Sequence, residues 1–197
     1  MKKLLGIPAL ITIAAASTLT SCTSADDTSE ISAPETTQEQ ADEPTIYRQY
    51  VALGDSYAAM GSRDAQVTGP AECFRSGDNY PAVLAGDDRI EEFVDATCAS
   101  AVTHDITSVR TGDEGFISAQ VDSLTEDTDL VTISIGGNDI GFPDIARCFQ
   151  EATAAGTESD CASKFPDSTE LFGPTPEMLD HTYSSIRNKA PGADVFV

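Results

Sequence analysis

Short apolar runs alternate with amphipathic segments along the chain from residue 46 onward. The runs are rich in β-branched or aromatic residues and the first three are followed by turn residues, which predicts strands at 49–53, 92–97, 130–135 and 193–197. Between them, apolar positions recur at helical spacing. This spacing predicts helices at 80–85, 117–124, 143–150 and 176–189. Strands separated by helices pair in parallel, so the pattern predicts an α/β fold.

The first 22 residues have the pattern of an export signal. Lys2 and Lys3 precede an uncharged, small-residue-rich stretch, 4–16, that is too short to span a membrane comfortably. Residues 19–22, Leu-Thr-Ser-Cys, resemble the lipobox of bacterial lipoproteins, in which cleavage before the cysteine leaves a diacylglyceryl-modified N-terminus. We therefore predict a lipid anchor on Cys22 that holds the protein on the outer face of the cell membrane. The alternative is an ordinary secretory signal cleaved near residues 14–17.

Residues 23–45 contain one large apolar side chain, Ile31, among Ser, Thr, Asp, Glu, Gln and Pro. Such a segment cannot bury a core, so it is predicted to be a disordered acidic linker. The folded domain is accordingly expected at 46–197. No internal repeat is visible in it.

The net charge of the chain limits the kinds of molecule that it can bind. The chain has 33 acidic and 11 basic residues, a formal net charge of −22. Affinity for nucleic acid depends on Lys and Arg at phosphates, so nucleic-acid binding is excluded. The sequence also carries no metal-binding cluster and no nucleotide-binding loop, and we predict a soluble, monomeric domain without a cofactor.

Five cysteines in an exported chain need explaining, because an odd number cannot all pair. Lipidation of Cys22 leaves four, namely Cys73, Cys98, Cys148 and Cys161. Disulfides persist outside the cytoplasm, and local order along the chain favours pairing the first two and the last two among three possible arrangements. A structural zinc site is the alternative, but no two of these cysteines have the short C-x₂₋₄-C spacing. A buried, unpaired thiol at Cys98 is a further alternative.

Three small polar turns follow the first three predicted strands. They are residues 54–57 (Gly-Asp-Ser-Tyr), 98–101 (Cys-Ala-Ser-Ala) and 136–139 (Gly-Gly-Asn-Asp), and we refer to them as the Ser56, Ser100 and Asn138 turns. The carboxyl ends of parallel strands share one edge of a sheet, where ligands bind. Ser56 opens a helix there with a free amide, and Asn138 offers a side-chain donor for an oxyanion. This combination favours acyl transfer through a serine ester.

These motifs resemble blocks I and III of the SGNH (GDSL-type) hydrolases, most of all their secreted actinobacterial lipase and esterase branch. The matching blocks are 50–57 (YVALGDSY) and 131–139 (VTISIGGND), and the likeness extends over about 47–197. The resemblance implies a three-layer α/β/α sandwich with a flavodoxin-like parallel sheet. It also supports the two local disulfides. The family's last strand and C-terminal helix are expected beyond residue 197.

Carried over residue by residue, Ser56 resembles the nucleophile and its amide one oxyanion donor. Asn138 resembles the oxyanion asparagine. The block II position, a glycine in the family, is Ser100 here, whose amide still suits the oxyanion but whose backbone must then adopt an angle that non-glycine residues tolerate.

The general base departs from the family pattern. The family takes its histidine from a D-x-x-H motif near the C-terminus, and neither His104 nor His181 has an aspartate three residues before it. His104 is expected to line the cleft, and His181 to lie on a solvent-exposed helix. The base is therefore expected beyond residue 197, and these 197 residues alone are expected to be inactive.

The predicted function is that of an exported, lipid-anchored or secreted serine esterase or lipase. Its substrate would be a carboxylic ester, either a small molecule or a lipid. The alternative is a non-catalytic cell-surface lipoprotein that binds an acylated or glycan ligand in the same cleft.

Overall fold

A computed structural model of the chain describes residues 44–113, 115–165, 170, 172–173 and 175–197. The predicted export signal, Cys22 and all but the last two residues of the predicted linker lie outside the described residues. The described strands are β1 (Tyr47–Gly54), β2 (Val67–Thr68), β3 (Arg75–Ser76), β4 (Ile90–Asp95), β5 (Arg110–Gly112), β6 (Gly115–Ile117), β7 (Leu130–Ser134) and β8 (Asp194–Phe196). The α-helices discussed below are α1 (Ser56–Ala59), α2 (Tyr80–Leu84), α3 (Thr103–Thr107), α4 (Phe142–Ala155), α5 (Cys161–Lys164) and α6 (Thr175–Lys189).

Four of the strands form one parallel sheet in the order β4-β1-β7-β8. They correspond to the four strands predicted from the sequence. β1 lies between β4 and β7, and Leu53 of β1 is paired with Ile133 of β7. The carboxyl ends of three neighbouring strands therefore meet at one edge, as the α/β pattern predicts.

The alternation of side chains along β1 divides the core between the two faces of the sheet. Val51 and Leu53 pack on one face with residues of β7, α3 and α6, such as Ile106 and Ile186. Tyr50 and Ala52 face the opposite side, toward α2 and Leu84. Helices on both faces make the predicted three layers. Within the described ranges, no helix is long and apolar enough to cross a membrane.

Three of the four predicted helices are present, as α2, α4 and α6. The prediction of a helix at 117–124 is wrong. Ile117 belongs to β6, where it pairs with Arg110, and only Gln120–Ser123 forms a single 3₁₀ turn. The start of the segment is hydrogen-bonded in the β5–β6 hairpin and not in a helix. The apolar residues that follow therefore reach the core from an irregular backbone.

Both predicted disulfides are present, as Cys73–Cys98 and Cys148–Cys161. The first ties the segment before β3 to the Ser100 turn, and the second joins α4 to α5. The four sulfur atoms are thus bonded in pairs, so neither the zinc alternative nor an unpaired Cys98 thiol describes these residues.

Candidate active site

The three turns at the carboxyl ends of β1, β4 and β7 are joined by backbone hydrogen bonds. The amide of Cys98 donates to the carbonyl oxygen of Gly54 at 3.0 Å, and the amide of Asp55 donates to the carbonyl oxygen of Ser134 at 2.9 Å. The Ser56 turn is therefore held from both sides, by the first residue of the Ser100 turn and by the last residue of β7.

Gly54 and Asp55 set the direction in which α1 leaves the sheet. Gly54 has φ = 137°, a backbone angle that favours glycine. Asp55 caps α1, since its Oδ1 accepts the amide of Tyr57 at 2.9 Å. Ser56 is the first helical residue and is half-buried, and an amide at this position has no partner inside its own helix.

Two carboxylates, those of Asp55 and Asp139, accept hydrogen bonds at the turns. Burial raises the pKa of the Asp55 carboxyl above its usual value, the amide of Tyr57 opposes that rise, and the nearby Asp139 adds to it. Asp139 itself accepts the amide of Thr103 at 3.0 Å and its hydroxyl at 2.6 Å. Asp139 thereby fixes the Asn138 turn to the start of α3, directly after the Ser100 turn.

Ser100 lies exposed at the tip of its turn with φ = 63°, in the left-handed region. The turn around it is restrained at several points. The amide of Ala99 donates to the carbonyl of Cys73 at 2.9 Å, and Arg110 contacts the sulfur of Cys98 at 2.7 Å through its Nη2. A serine thus occupies a backbone position that suits glycine.

Replacing Ser100 by glycine is expected to raise the free energy of unfolding by about 0.5–1 kcal/mol. A left-handed non-glycine residue costs about 1–2 kcal/mol, and the greater freedom of glycine in the unfolded chain offsets roughly 0.5–1 kcal/mol of the relief. Urea unfolding of the two proteins measures the difference. Ser184→Gly, at an exposed position inside α6, is the control and should lower stability. A Ser100→Gly protein that is less stable than the parent would contradict backbone strain at Ser100.

The Asn138 turn passes through Gly136, at φ = 109°, and Gly137 before it reaches Asn138. The Nδ2 of Asn138 donates to the carbonyl oxygen of Ala101 at 2.8 Å. A carboxamide nitrogen carries two hydrogens, so one N–H orients the side chain against the Ser100 turn, and the other has no hydrogen-bond partner among the described residues.

An open depression of about 280 Å³ adjoins the Ser56 turn. Its lining is Asp55, Tyr57, Ser134, Ile135, Gly137, Ile140 and Phe142. The rings of Tyr57 and Phe142 stand 6.4 Å apart, and their side chains are 66% and 40% exposed. Exposed aromatic and aliphatic surface thus lies immediately beside Ser56.

A second apolar depression, of about 390 Å³, lies at the opposite end of the sheet, near Tyr47, Leu130 and Phe196. None of the predicted site residues lines it. The smaller depression is lined by Asp55 and Tyr57, the neighbours of Ser56 on either side, and by Gly137, the neighbour of Asn138.

Both histidines are exposed and line one depression of about 320 Å³ beside α3 and α6, together with Glu177. His104, which was expected to line the cleft, is not among the residues that line the depression beside Tyr57 and Phe142. Its position on α3 turns the side chain toward α6. His181 lies exposed on α6, as predicted.

The sequence did not single out Gln120, which the structure brings to the Ser56 turn. Its side chain is 3% exposed and bonds both backbone groups of Gly54. The only local signal is a polar residue between the buried Ala119 and Val121. Its partner is 66 residues away, which no local pattern specifies.

Known proteins resemble this chain over most of its length. The model of the GDSL-like Lipase/Acylhydrolase family matches residues 52–197. Lipase 1 of Streptomyces coelicolor is 36% identical over 160 residues, which are 80% of this chain and 54% of that protein. A lipase of Streptomyces rimosus is 34% identical over 150 residues, 75% of this chain and 50% of that protein. The chain thus spans about half the length of these relatives.

Two solved structures that are similar to this chain are also those of Streptomyces enzymes named lipase or phospholipase. The structure of phospholipase A1 from Streptomyces albidoflavus NA297 is similar with a TM-score of 0.60 and 32% identity, over 76% of this chain and 58% of that one. The extracellular lipase from Streptomyces rimosus gives a TM-score of 0.53 and 29% identity, over 75% and 58%. These likenesses confirm the three-layer α/β/α fold. The chain belongs to the GDSL-like lipase and acylhydrolase family, the SGNH hydrolases that its motifs resemble.

Proposed function

We propose that the protein is a serine ester hydrolase, an esterase or lipase that acts on carboxylic esters through an acyl-Ser56 intermediate. The observation that carries the proposal is the convergence of the three turns, in which Ser56 begins a helix beside an anchored Asn138. Family membership and relatives that bear the name lipase support it.

In the proposed reaction, the Oγ of Ser56 attacks the carbonyl carbon of the ester while a base takes its proton. The amides of Ser56 and Ser100 and the free N–H of Asn138 donate to the oxyanion that forms. The tetrahedral intermediate collapses, the C–O bond to the alcohol breaks, and the alcohol leaves with the proton. Water then attacks the acyl-Ser56 ester and releases the carboxylic acid.

The general base in this proposal is a histidine beyond residue 197. Its support is that His104 and His181 line a different depression from the one beside Ser56. The named lipase relatives are also about twice as long as the part that this chain matches. Experiments on activity are therefore designed for the complete gene product, with any residues that follow Val197.

A lipid or similarly apolar acyl group is the proposed substrate class. The exposed rings of Tyr57 and Phe142, with Ile140, offer apolar surface next to the nucleophile. The solved relatives named phospholipase A1 and lipase support this choice.

We further propose that the protein works outside the cytoplasm, anchored to the membrane through a lipid on Cys22. The export signal and lipobox-like residues support this, as do two disulfides that an oxidising compartment would preserve. Mass spectrometry of the mature N-terminus tests it. A mature protein whose Cys22 carries no lipid would contradict the anchor.

Hydrolysis of p-nitrophenyl esters of increasing acyl length by the complete gene product tests the proposed function. We expect turnover that a fluorophosphonate inhibitor abolishes, because the oxygen of an activated serine attacks the phosphorus of such a reagent, displaces fluoride and becomes irreversibly phosphonylated. Turnover that resists the inhibitor would contradict a serine mechanism. No turnover with any ester would favour the non-catalytic, ligand-binding alternative.

Replacing Asn138 by alanine is expected to lower kcat about 10²- to 10³-fold, because one oxyanion donor is lost. Asn188→Ala, at an exposed position on α6, is the matched control and should leave kcat unchanged. Steady-state kinetics of both variants measures the loss of the oxyanion donor. Thermal unfolding measures what the loss of the hydrogen bond to Ala101 costs in stability. A folded Asn138→Ala protein with the parent kcat would remove Asn138 from the proposed oxyanion hole.

A further inference from the structure

The side chain of Gln120 forms a two-point contact with the backbone of Gly54. Its Oε1 accepts the Gly54 amide at 2.7 Å, and its Nε2 donates to the Gly54 carbonyl oxygen at 2.9 Å. The glutamine is 3% exposed, so both bonds are formed away from solvent. Gly54 is two residues before Ser56.

The contact completes the edge of β1 where the neighbouring strand stops. Pairing of β1 with β4 ends at Ala52 and Asp95. Beyond that point the amide of Ala96 still donates to the carbonyl of Ala52, and the amide of Cys98 donates to the carbonyl of Gly54. Without Gln120, the amide of Gly54 would lose the partner it has in the structure, and an unpaired buried amide is costly. The carboxamide of Gln120 replaces the backbone of a strand residue.

Packing limits how far Gln120 can move. Its neighbours Ala119 and Val121 belong to the buried cluster that contains Val51 and Leu53 of β1. The glutamine is therefore held by the same core that holds the strand it contacts. Because Asp55 is bonded to Ser134 on the other side, the Ser56 turn is fixed between Gln120 and the end of β7.

We infer that Gln120 is a positioning residue for the nucleophile, which sets the place of the Ser56 hydroxyl through the backbone of Gly54. The inference rests on the proposed role of Ser56. A displacement of about 1 Å at a reacting group can cost roughly 10²-fold in rate, so the two hydrogen bonds have a kinetic consequence beyond folding.

The first test is structural and independent of activity. Gln120→Met keeps the volume nearly unchanged and removes both hydrogen bonds, and Gln66→Met, at an exposed position, is the matched control. Amide hydrogen exchange followed by ¹⁵N NMR should show the Gly54 amide exchanging at least about tenfold faster in Gln120→Met alone, since protection follows the hydrogen bond. Unchanged protection of Gly54 in a folded Gln120→Met protein would overturn the inference.

The second test is kinetic and uses the complete gene product. The rate of fluorophosphonate labelling at Ser56 should fall about tenfold or more in Gln120→Met, with little change in the concentration needed for half-maximal rate. A folded variant that is labelled at the parent rate would overturn the inference. If the parent protein is not labelled at all, the proposed function fails. The contact of Gln120 with Gly54 is then tested by hydrogen exchange of the Gly54 amide alone.

Gln120→Glu adds a signature that loss of packing would not produce. A protonated carboxyl can donate to the Gly54 carbonyl and accept its amide, whereas an ionised one can only accept. Burial raises the pKa of such a carboxyl, so the labelling rate relative to the parent should fall as pH rises through that pKa and recover on return to low pH. A ratio that stays constant with pH while the protein remains folded would contradict a positioning role.

Discussion

Ser56→Ala is expected to lower ester hydrolysis by the complete gene product about 10⁴-fold or more. The expectation follows from the proposed mechanism, in which the Ser56 oxygen forms the covalent bond to the acyl group. Removing the nucleophile of a serine hydrolase leaves only the residual effect of the oxyanion donors and of binding. Steady-state hydrolysis of a p-nitrophenyl ester at saturating concentration measures the loss as a fall in kcat.

Two controls make this loss interpretable. Ser184→Ala changes an exposed serine on α6 and should leave kcat unchanged. Ser56 is half-buried at a helix start, so its replacement by alanine should alter the free energy of unfolding by less than about 1 kcal/mol. A stable Ser56→Ala protein that retains a tenth of the parent activity would show that another residue is the nucleophile.

Gly54→Ala is expected to destabilise the domain by about 3–5 kcal/mol, a large share of the stability of an ordinary domain. A methyl group at residue 54 would overlap the carbonyl oxygen of Ser134 and would lie 3.1 Å from the Cβ of Ala58. The backbone angle of 137° adds strain for any side chain. Overpacking and backbone strain each cost about 1–3 kcal/mol, and here they act together.

Urea unfolding compares Gly54→Ala with Gly192→Ala as the matched control. A methyl group at residue 192 would meet no heavy atom within 4 Å, and this change should stay within about 0.5 kcal/mol of the parent. Equal stability of the two variants would mean that β1 and β7 do not approach each other at Gly54 as closely as described.

The parallel sheet could be predicted because its four strands leave strong local signals. A run such as 130–135 is apolar, β-branched and closed by glycines, and the structure places β7 at Leu130–Ser134. The two hairpins, β2–β3 and β5–β6, were not predicted, since strands of two or three residues are too short for a period to show. The error at 117–124 has the same origin, because one of those hairpins takes up its start.

The turns that carry the candidate site could be predicted because they follow strands, and strand order determines where they meet. What holds them in place could not. Gln120 reaches Gly54 across 66 residues, and Asp139 reaches Thr103 across 36, so neither contact has a local pattern. The position of the His104 side chain likewise depends on how α3 packs against α6, which no local pattern specifies.

Mass spectrometry of the complete gene product after fluorophosphonate treatment shows whether Ser56 is the nucleophile. We predict a single adduct, on the peptide that contains Ser56, in the folded protein and not after unfolding in urea. An adduct on any other residue, or a folded protein that hydrolyses esters and carries no adduct at Ser56, would contradict it.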